Sequence, residues 1–130
     1  KLGIFIHWGM YAVNGIDESW SFFNGYISHD DYLKQMKSFT AENYKPKQWA
    51  KLIKNSGAKY AVITTKHHDG FVLWQSRYTT HGVMSSPFKE GNGDVLKDLS
   101  ASCQKYGLKL GVYLSPADLY QIENKTEYQK

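Results

Sequence analysis

The run Tyr60-Ala61-Val62-Ile63-Thr64-Thr65 limits the fold more than any other segment. It is β-branched and nearly all apolar, the composition of a strand buried on both faces, as in a parallel sheet. After Lys66 the character changes at once to His67-His68-Asp69-Gly70. In α/β folds, ligands bind at the carboxyl ends of the strands, so polar residues that break out there are candidates for chemistry. A second strand-like run, Leu2-Gly3-Ile4-Phe5-Ile6, ends in the same way in His7-Trp8-Gly9. Two strands that deliver histidines to one rim imply a shared site.

Between these runs the signals alternate. Strand 1 is expected from Leu2 to His7, followed by an excursion from Gly9 to about Tyr44. Within it, Ser28 and Asp31 have capping-box spacing for a short helix whose one face carries Tyr32 and Met36. Pro46 is a favoured first-turn residue for the next helix. Trp49, Leu52 and Ile53 form its apolar stripe, and Gly57 is placed to stop it. Strand 2 follows from Lys59 to Thr65, then a second excursion from His67 to Gly93. Asp94 is a good N-cap for a helix with Leu96, Leu99 and Cys103 on its buried side, ended by Gly107. Strand 3 is expected from Leu108 to Leu114.

Ser56-Gly57-Ala58-Lys59-Tyr60 and Tyr106-Gly107-Leu108-Lys109-Leu110 hold the same place between helix and strand. The order is therefore β-α-β-α-β, an α/β fold with a parallel sheet. Long segments follow strands and tight turns follow helices, the asymmetry of a (β/α)8 TIM-like barrel. A whole barrel takes about 250 residues, so a chain of 130 residues is expected to supply about three units. A doubly wound sheet competes, but no glycine-rich phosphate loop follows strand 1.

Composition removes several functions. The net charge is +4, but the lysines are scattered and no block of like charge forms, so a nucleic-acid patch is not indicated. The single cysteine, Cys103, excludes an internal disulfide and a cysteine-rich zinc module. No apolar stretch approaches the roughly 20 residues of a membrane span. Both ends read as cut. The chain opens on Lys1 directly before a strand, and closes in the polar stretch Gln121-Ile122-Glu123-Asn124-Lys125.

His7, His67 and His68 are the central constellation. Each alone reads as a structural hydrogen bonder, but three at two strand ends point to a site. Neutral imidazoles offer one donor and one acceptor each, which suits a polyhydroxylated ligand. Metal binding is the alternative, although adjacent His67 and His68 point apart in strand geometry. Asp69 serves equally as a ligand, a general base or a cap for the turn at Gly70. Trp8, Trp20 and Trp74 lie in or beside the strand-end loops, where an indole can stack on a sugar face. Trp49 belongs to a helix stripe and is expected in the core. His29 and His81 have no supporting neighbours in sequence.

The motifs Gly3-Ile4-Phe5-Ile6-His7-Trp8-Gly9, Gly57-Ala58-Lys59-Tyr60, Thr64-Thr65-Lys66-His67-His68-Asp69-Gly70-Phe71 and Leu110-Gly111-Val112-Tyr113-Leu114-Ser115 resemble, in order, the glycoside hydrolase family 29 α-L-fucosidases. The resemblance implies a partial catalytic barrel over 1–130, with the rest of the barrel and a C-terminal β-sandwich absent. It implies retaining hydrolysis of terminal α-L-fucosyl linkages, with no metal or cofactor. It assigns His7, His67 and His68 to the fucose hydroxyls and Trp20 to the pocket. An acid that precedes this tryptophan in the family is here either displaced to Glu18 or replaced by Ser19, and Leu119 after Asp118 stands where an aromatic is usual. The nucleophilic aspartate and the acid/base are expected beyond Lys130, so the chain alone is expected to be inactive. The implied partner is a fucosylated oligosaccharide or glycoconjugate, in a periplasmic, secreted or lysosomal setting. Rival readings are a metal-dependent barrel hydrolase and a non-catalytic sugar-binding barrel.

Overall fold

The computed structural model describes residues 1–121. The polar stretch from Ile122 onward therefore lies outside the described residues. The elements run β1 (Gly3–Ile6), α1 (Trp20–Phe23), α2 (His29–Lys34), α3 (Pro46–Asn55), β2 (Tyr60–Lys66), α4 (Val95–Lys105) and β3 (Lys109–Leu114), with short 3-10 turns between them. Among the described residues the strands form one parallel sheet in the order β1-β2-β3. Sequence order equals spatial order, and a helix precedes each of β2 and β3.

Local chemistry explains where the elements start and stop. Ser28 Oγ accepts the Asp31 amide at 3.1 Å and so caps α2. Asp94 does the same for α4, accepting the Lys97 amide at 2.8 Å. Pro46 opens α3 without forfeiting an intrahelical bond. Gly57 closes α3 at φ +85°, a left-handed value that strains side chains with a Cβ, and Gly107 ends α4 alike.

Register assigns the two faces. Ile4, Ala61 and Leu110 are level across the sheet, as are Ile6, Ile63 and Val112. Most of these side chains pack against the helical layer, joining Ala50 and Ile53 of α3 and Val95, Leu99 and Cys103 of α4 in one core. Tyr32 of α2 and the connecting residues Phe39, Phe71 and Phe88 extend that core beyond the sheet. The opposite face carries Phe5, Val62, Gly111 and Tyr113.

Two expectations need correction. Burial on both faces holds for most of the run 60–65, but Tyr60 at its start is 40% exposed and Val62 is only half-buried, and the flanking strands are more open. Phe5 is 51% exposed, and Val112 and Leu114 are each 56% exposed, because β1 and β3 are edges of the described sheet. Leu52 does not belong to the buried stripe of α3. It is 71% exposed, whereas Ala50 is fully buried and Ile53 is 6% exposed. At about 100° per residue, Leu52 projects well away from the face centred on Ala50, Ile53 and Trp49. In α4, Val95 and Leu99 are fully buried, while Leu96 is only partly so.

Candidate active site

The carboxyl ends of β1 and β2 bring His7, His67 and His68 together. His7 follows Phe5 by two positions, so both project from the same face, with ring centroids 4.8 Å apart. The His7 and His67 rings lie 5.7 Å apart, and the His67 and His68 rings 4.6 Å apart. The adjacent pair does not point apart as strand geometry requires. β2 ends at Lys66 after a register irregularity between Thr64 and Lys66, so His67 and His68 already belong to the turn. Tyr113 of β3 stacks along His67 at 5.9 Å.

Each imidazole is held differently. His67 is 6% exposed, and its Nδ1 lies 2.8 Å from the hydroxyl of buried Ser19. Burial drives its pKa down to about 4, with help from the neighbouring His68 and His7, while Glu18 pulls the other way. It is a neutral hydrogen-bonding group at ordinary pH. The Nδ1 of His68 lies 2.5 Å from Ser115 Oγ. That hydroxyl already donates its one proton to Ala117 O at 3.0 Å. His68 Nδ1 must therefore donate, and in the neutral ring Nε2 then carries an acceptor lone pair. His7 is exposed at the rim.

Trp20 lies beside the pair, its ring 6.4 Å from that of His68. With Ser19, Phe23, His68, Ala117 and Leu119 it lines a cleft of about 170 Å³. Glu18 is half-buried, and its charge reaches His67, Tyr11 and Tyr32. The place directly before Trp20 thus belongs to Ser19, which touches His67, while Glu18 acts through space.

The other candidates fall away from this rim. Trp8 follows His7 by one residue and turns to the opposite side, against Phe39, Tyr44 and Trp49 at 5.4, 5.0 and 5.3 Å. Trp49 is thus part of an aromatic cluster, half-buried rather than in the deep core. Trp74 lines a separate groove with Leu96, Leu110 and Val112. Asp69 is the turn cap: its Oδ1 accepts the Phe71 amide at 3.1 Å, and Gly70 follows at φ +78°. Its Oδ2 accepts the Tyr32 hydroxyl at 2.6 Å, and burial pushes its pKa up to about 6. Asp118 pairs with Lys66 at 3.2 Å.

Sequence patterns named Ser19 only as a stand-in for an acid, and gave no role to Ser115 or His81. His81 is 2% exposed and donates from Nε2 to Asp69 O at 3.0 Å, so it braces the turn that carries the histidine pair. Tyr120 stacks on it at 4.1 Å. Only the capping habit of serine near a turn hinted at Ser115. Among the described residues, no group of three or more His, Cys, Asp or Glu side chains is arranged to hold a metal ion.

Comparison with known proteins gives a consistent answer. Residues 1–130 match the α-L-fucosidase family. An α-L-fucosidase from Branchiostoma floridae is 33% identical over 133 residues, covering 88% of this chain and 29% of its own. The human plasma α-L-fucosidase is 34% identical over 132 residues, covering 88% and 28%. The crystal structure of a Bacteroides thetaiotaomicron α-L-fucosidase has a TM-score of 0.83 at 33% identity, over 98% of this chain and 31% of that one. An α-L-fucosidase from the same organism, captured as a trapped covalent intermediate with 2-fluoro-fucosyl fluoride, gives 0.83 at 34% identity, over 95% and 30%. The chain spans about a third of the length of these relatives. With every residue inside the family match, and the histidine motifs standing at the ends of parallel strands, the chain belongs to the α-L-fucosidases of glycoside hydrolase family 29.

Proposed function

We propose that these residues form the first three units of a (β/α)8 barrel, and that the whole protein hydrolyses terminal α-L-fucosyl linkages of oligosaccharides or glycoconjugates with retention. Parallel strands in sequential order and long connections leaving the carboxyl ends support the barrel. The observation that carries the function is the convergence of His7, His67 and His68 from two strand ends. Neutral His67 and the Nε2 acceptor of His68 complement hydroxyl groups on adjacent ring carbons. Trp20 offers an indole beside them, and Glu18 adds negative charge nearby.

Retention needs two carboxylates about 5 Å apart, one to attack the anomeric carbon and one to serve as acid and then base. The relative trapped as a covalent intermediate supports that route. Asp69 and Asp118 do not fit either role, since one caps a turn under Tyr32 and the other pairs with Lys66. The family resemblance assigns the two carboxylates to the rest of the barrel, and this rim is left to sugar binding.

Steady-state kinetics on the full-length enzyme with an aryl α-L-fucoside test the assignment. His7→Ala and His68→Ala should each lose about 2–4 kcal/mol of transition-state stabilisation, roughly 30- to 1000-fold in kcat/KM. His29→Ala, at the exposed start of α2, should stay within about twofold of wild type. EDTA should change none of them. Near-normal kinetics in both site variants refute sugar binding at this rim. Loss of wild-type activity on chelation, restored by zinc, favours the metal-hydrolase reading instead.

A further inference from the structure

Ser19 and Trp20 are consecutive, and they meet His67 and His68, which are also consecutive. The turn that presents them is fixed by its own backbone bonds: Ser21 N to Glu18 O at 2.9 Å and Phe23 N to Ser19 O at 3.1 Å. The Ser21 hydroxyl donates back to Asp17 O. Ser19 is 1% exposed, so its hydroxyl sits in a set place, and it faces Nδ1 of an imidazole that is itself buried. We propose that Ser19 is a positioning residue: by holding Nδ1 of His67, it fixes the ring and leaves Nε2 as the nitrogen presented to a fucose hydroxyl. The inference rests on the sugar-binding reading of His67.

The residue type matters. A carboxylate in contact with Nδ1 would stabilise the imidazolium and make His67 a cation near neutral pH. A hydroxyl can donate or accept, and holds the ring without adding charge. The neutrality of His67 then follows from burial, with the Glu18 charge acting only at a distance. Serine before Trp20 thus gives a neutral hydrogen-bonding His67 in the place where the family resemblance puts an acid.

The test uses the full-length enzyme and an aryl α-L-fucoside, with wild type, Ser19→Ala, Ser19→Thr, Ser19→Asp, His67→Ala and the double variant Ser19→Ala/His67→Ala. Ser19→Ala should lose about tenfold or more in kcat/KM, and Ser19→Thr should stay within about threefold of wild type. The double variant should be no worse than His67→Ala, because Ser19 acts through that ring. Ser19→Asp should move the acidic limb of the kcat/KM profile upward by about one pH unit or more. A crippled His67→Ala with near-normal Ser19→Ala, or additive losses in the double variant, overturns the positioning role and leaves the sugar-binding reading standing. A near-normal His67→Ala overturns both. If Ser19→Ala does not fold, the Ser19→Asp profile decides, and an unmoved acidic limb overturns the proposal.

Discussion

Thr64 joins the two strand ends that present the histidines, so its hydroxyl links stability to the site. Thr64 is 1% exposed, and its Oγ1 accepts from Trp8 N at 3.0 Å and donates toward Trp8 O at 3.2 Å. Ile6 O and the Tyr11 hydroxyl lie at 3.5 and 3.4 Å. One side chain thus clamps the backbone on both sides of His7. Thr64→Val keeps the shape and removes the hydroxyl. The lost donation is worth about 1 kcal/mol, and the orphaned Trp8 amide adds a share of about 1–3 kcal/mol. Because that amide is only partly buried, the lower half of the range applies, and the sum is about 2–3 kcal/mol. Loosening the backbone around His7 should also lower kcat/KM by about 10- to 100-fold. Thr64→Ser is the informative partner. It gives up one methyl, worth about 1 kcal/mol, but keeps the clamp. Its kinetics should stay within about threefold of wild type. The assay is thermal denaturation and steady-state kinetics of both variants in the full-length enzyme. Normal kinetics in Thr64→Val, or equal kinetic damage in Thr64→Ser, would refute the clamp.

Two further outcomes follow from the turn that carries the pair. Gly70 holds φ +78°, and an added Cβ would come within 2.5 Å of Asp118 Oδ1, so Gly70→Ala should lower Tm by displacing Asp118 from Lys66. Adding Asp118→Ala should remove the clash but not the backbone strain, so a double variant that melts like wild type refutes the strain argument. His67 and His81 are both held near pKa 4 by burial, so the unfolded chain takes up protons below its own value of 6.5 before the folded state does. Their contribution is unimpaired above pH 6.5 and stability is lost from there toward pH 4. Asp69, raised to about 6 from 3.8, works in the opposite direction across its own window and offsets part of that loss. His81→Asn should therefore make the fall of Tm from pH 6.5 to 4 shallower, and an unchanged slope refutes this.

Features set by short-range chemistry were legible. The caps at Ser28 and Asp94, the stops at Gly57 and Gly107, and the buried run of β2 are local signals, and each element appears where those signals place it. Leu52 shows the limit of such reading. Spacing put Trp49, Leu52 and Ile53 on one side of α3, but the buried face is rotated from that side toward Ala50, which is fully buried while Leu52 is exposed. The side on which a residue lies next to a strand end is a matter of parity. Trp8 comes one residue after His7, so it turns to the aromatic cluster, and Trp20 reaches the rim only because α1 folds back over the histidine pair.

The three imidazoles could be read from sequence, because each stands next to a strand whose direction is fixed. The groups that orient them could not. Ser19 meets His67 across 48 positions and Ser115 meets His68 across 47. Serine in a polar loop has no periodicity to betray a long-range contact. Yet these hydroxyls decide what the imidazoles can do. Because the Ser115 proton is committed to Ala117 O, Nδ1 of His68 donates, and the neutral ring then offers a donor hydroxyl an acceptor at Nε2. The imidazoles of the candidate site thus stand at strand ends legible in the sequence, while their hydrogen-bonding partners are two small side chains that only the folded chain brings near.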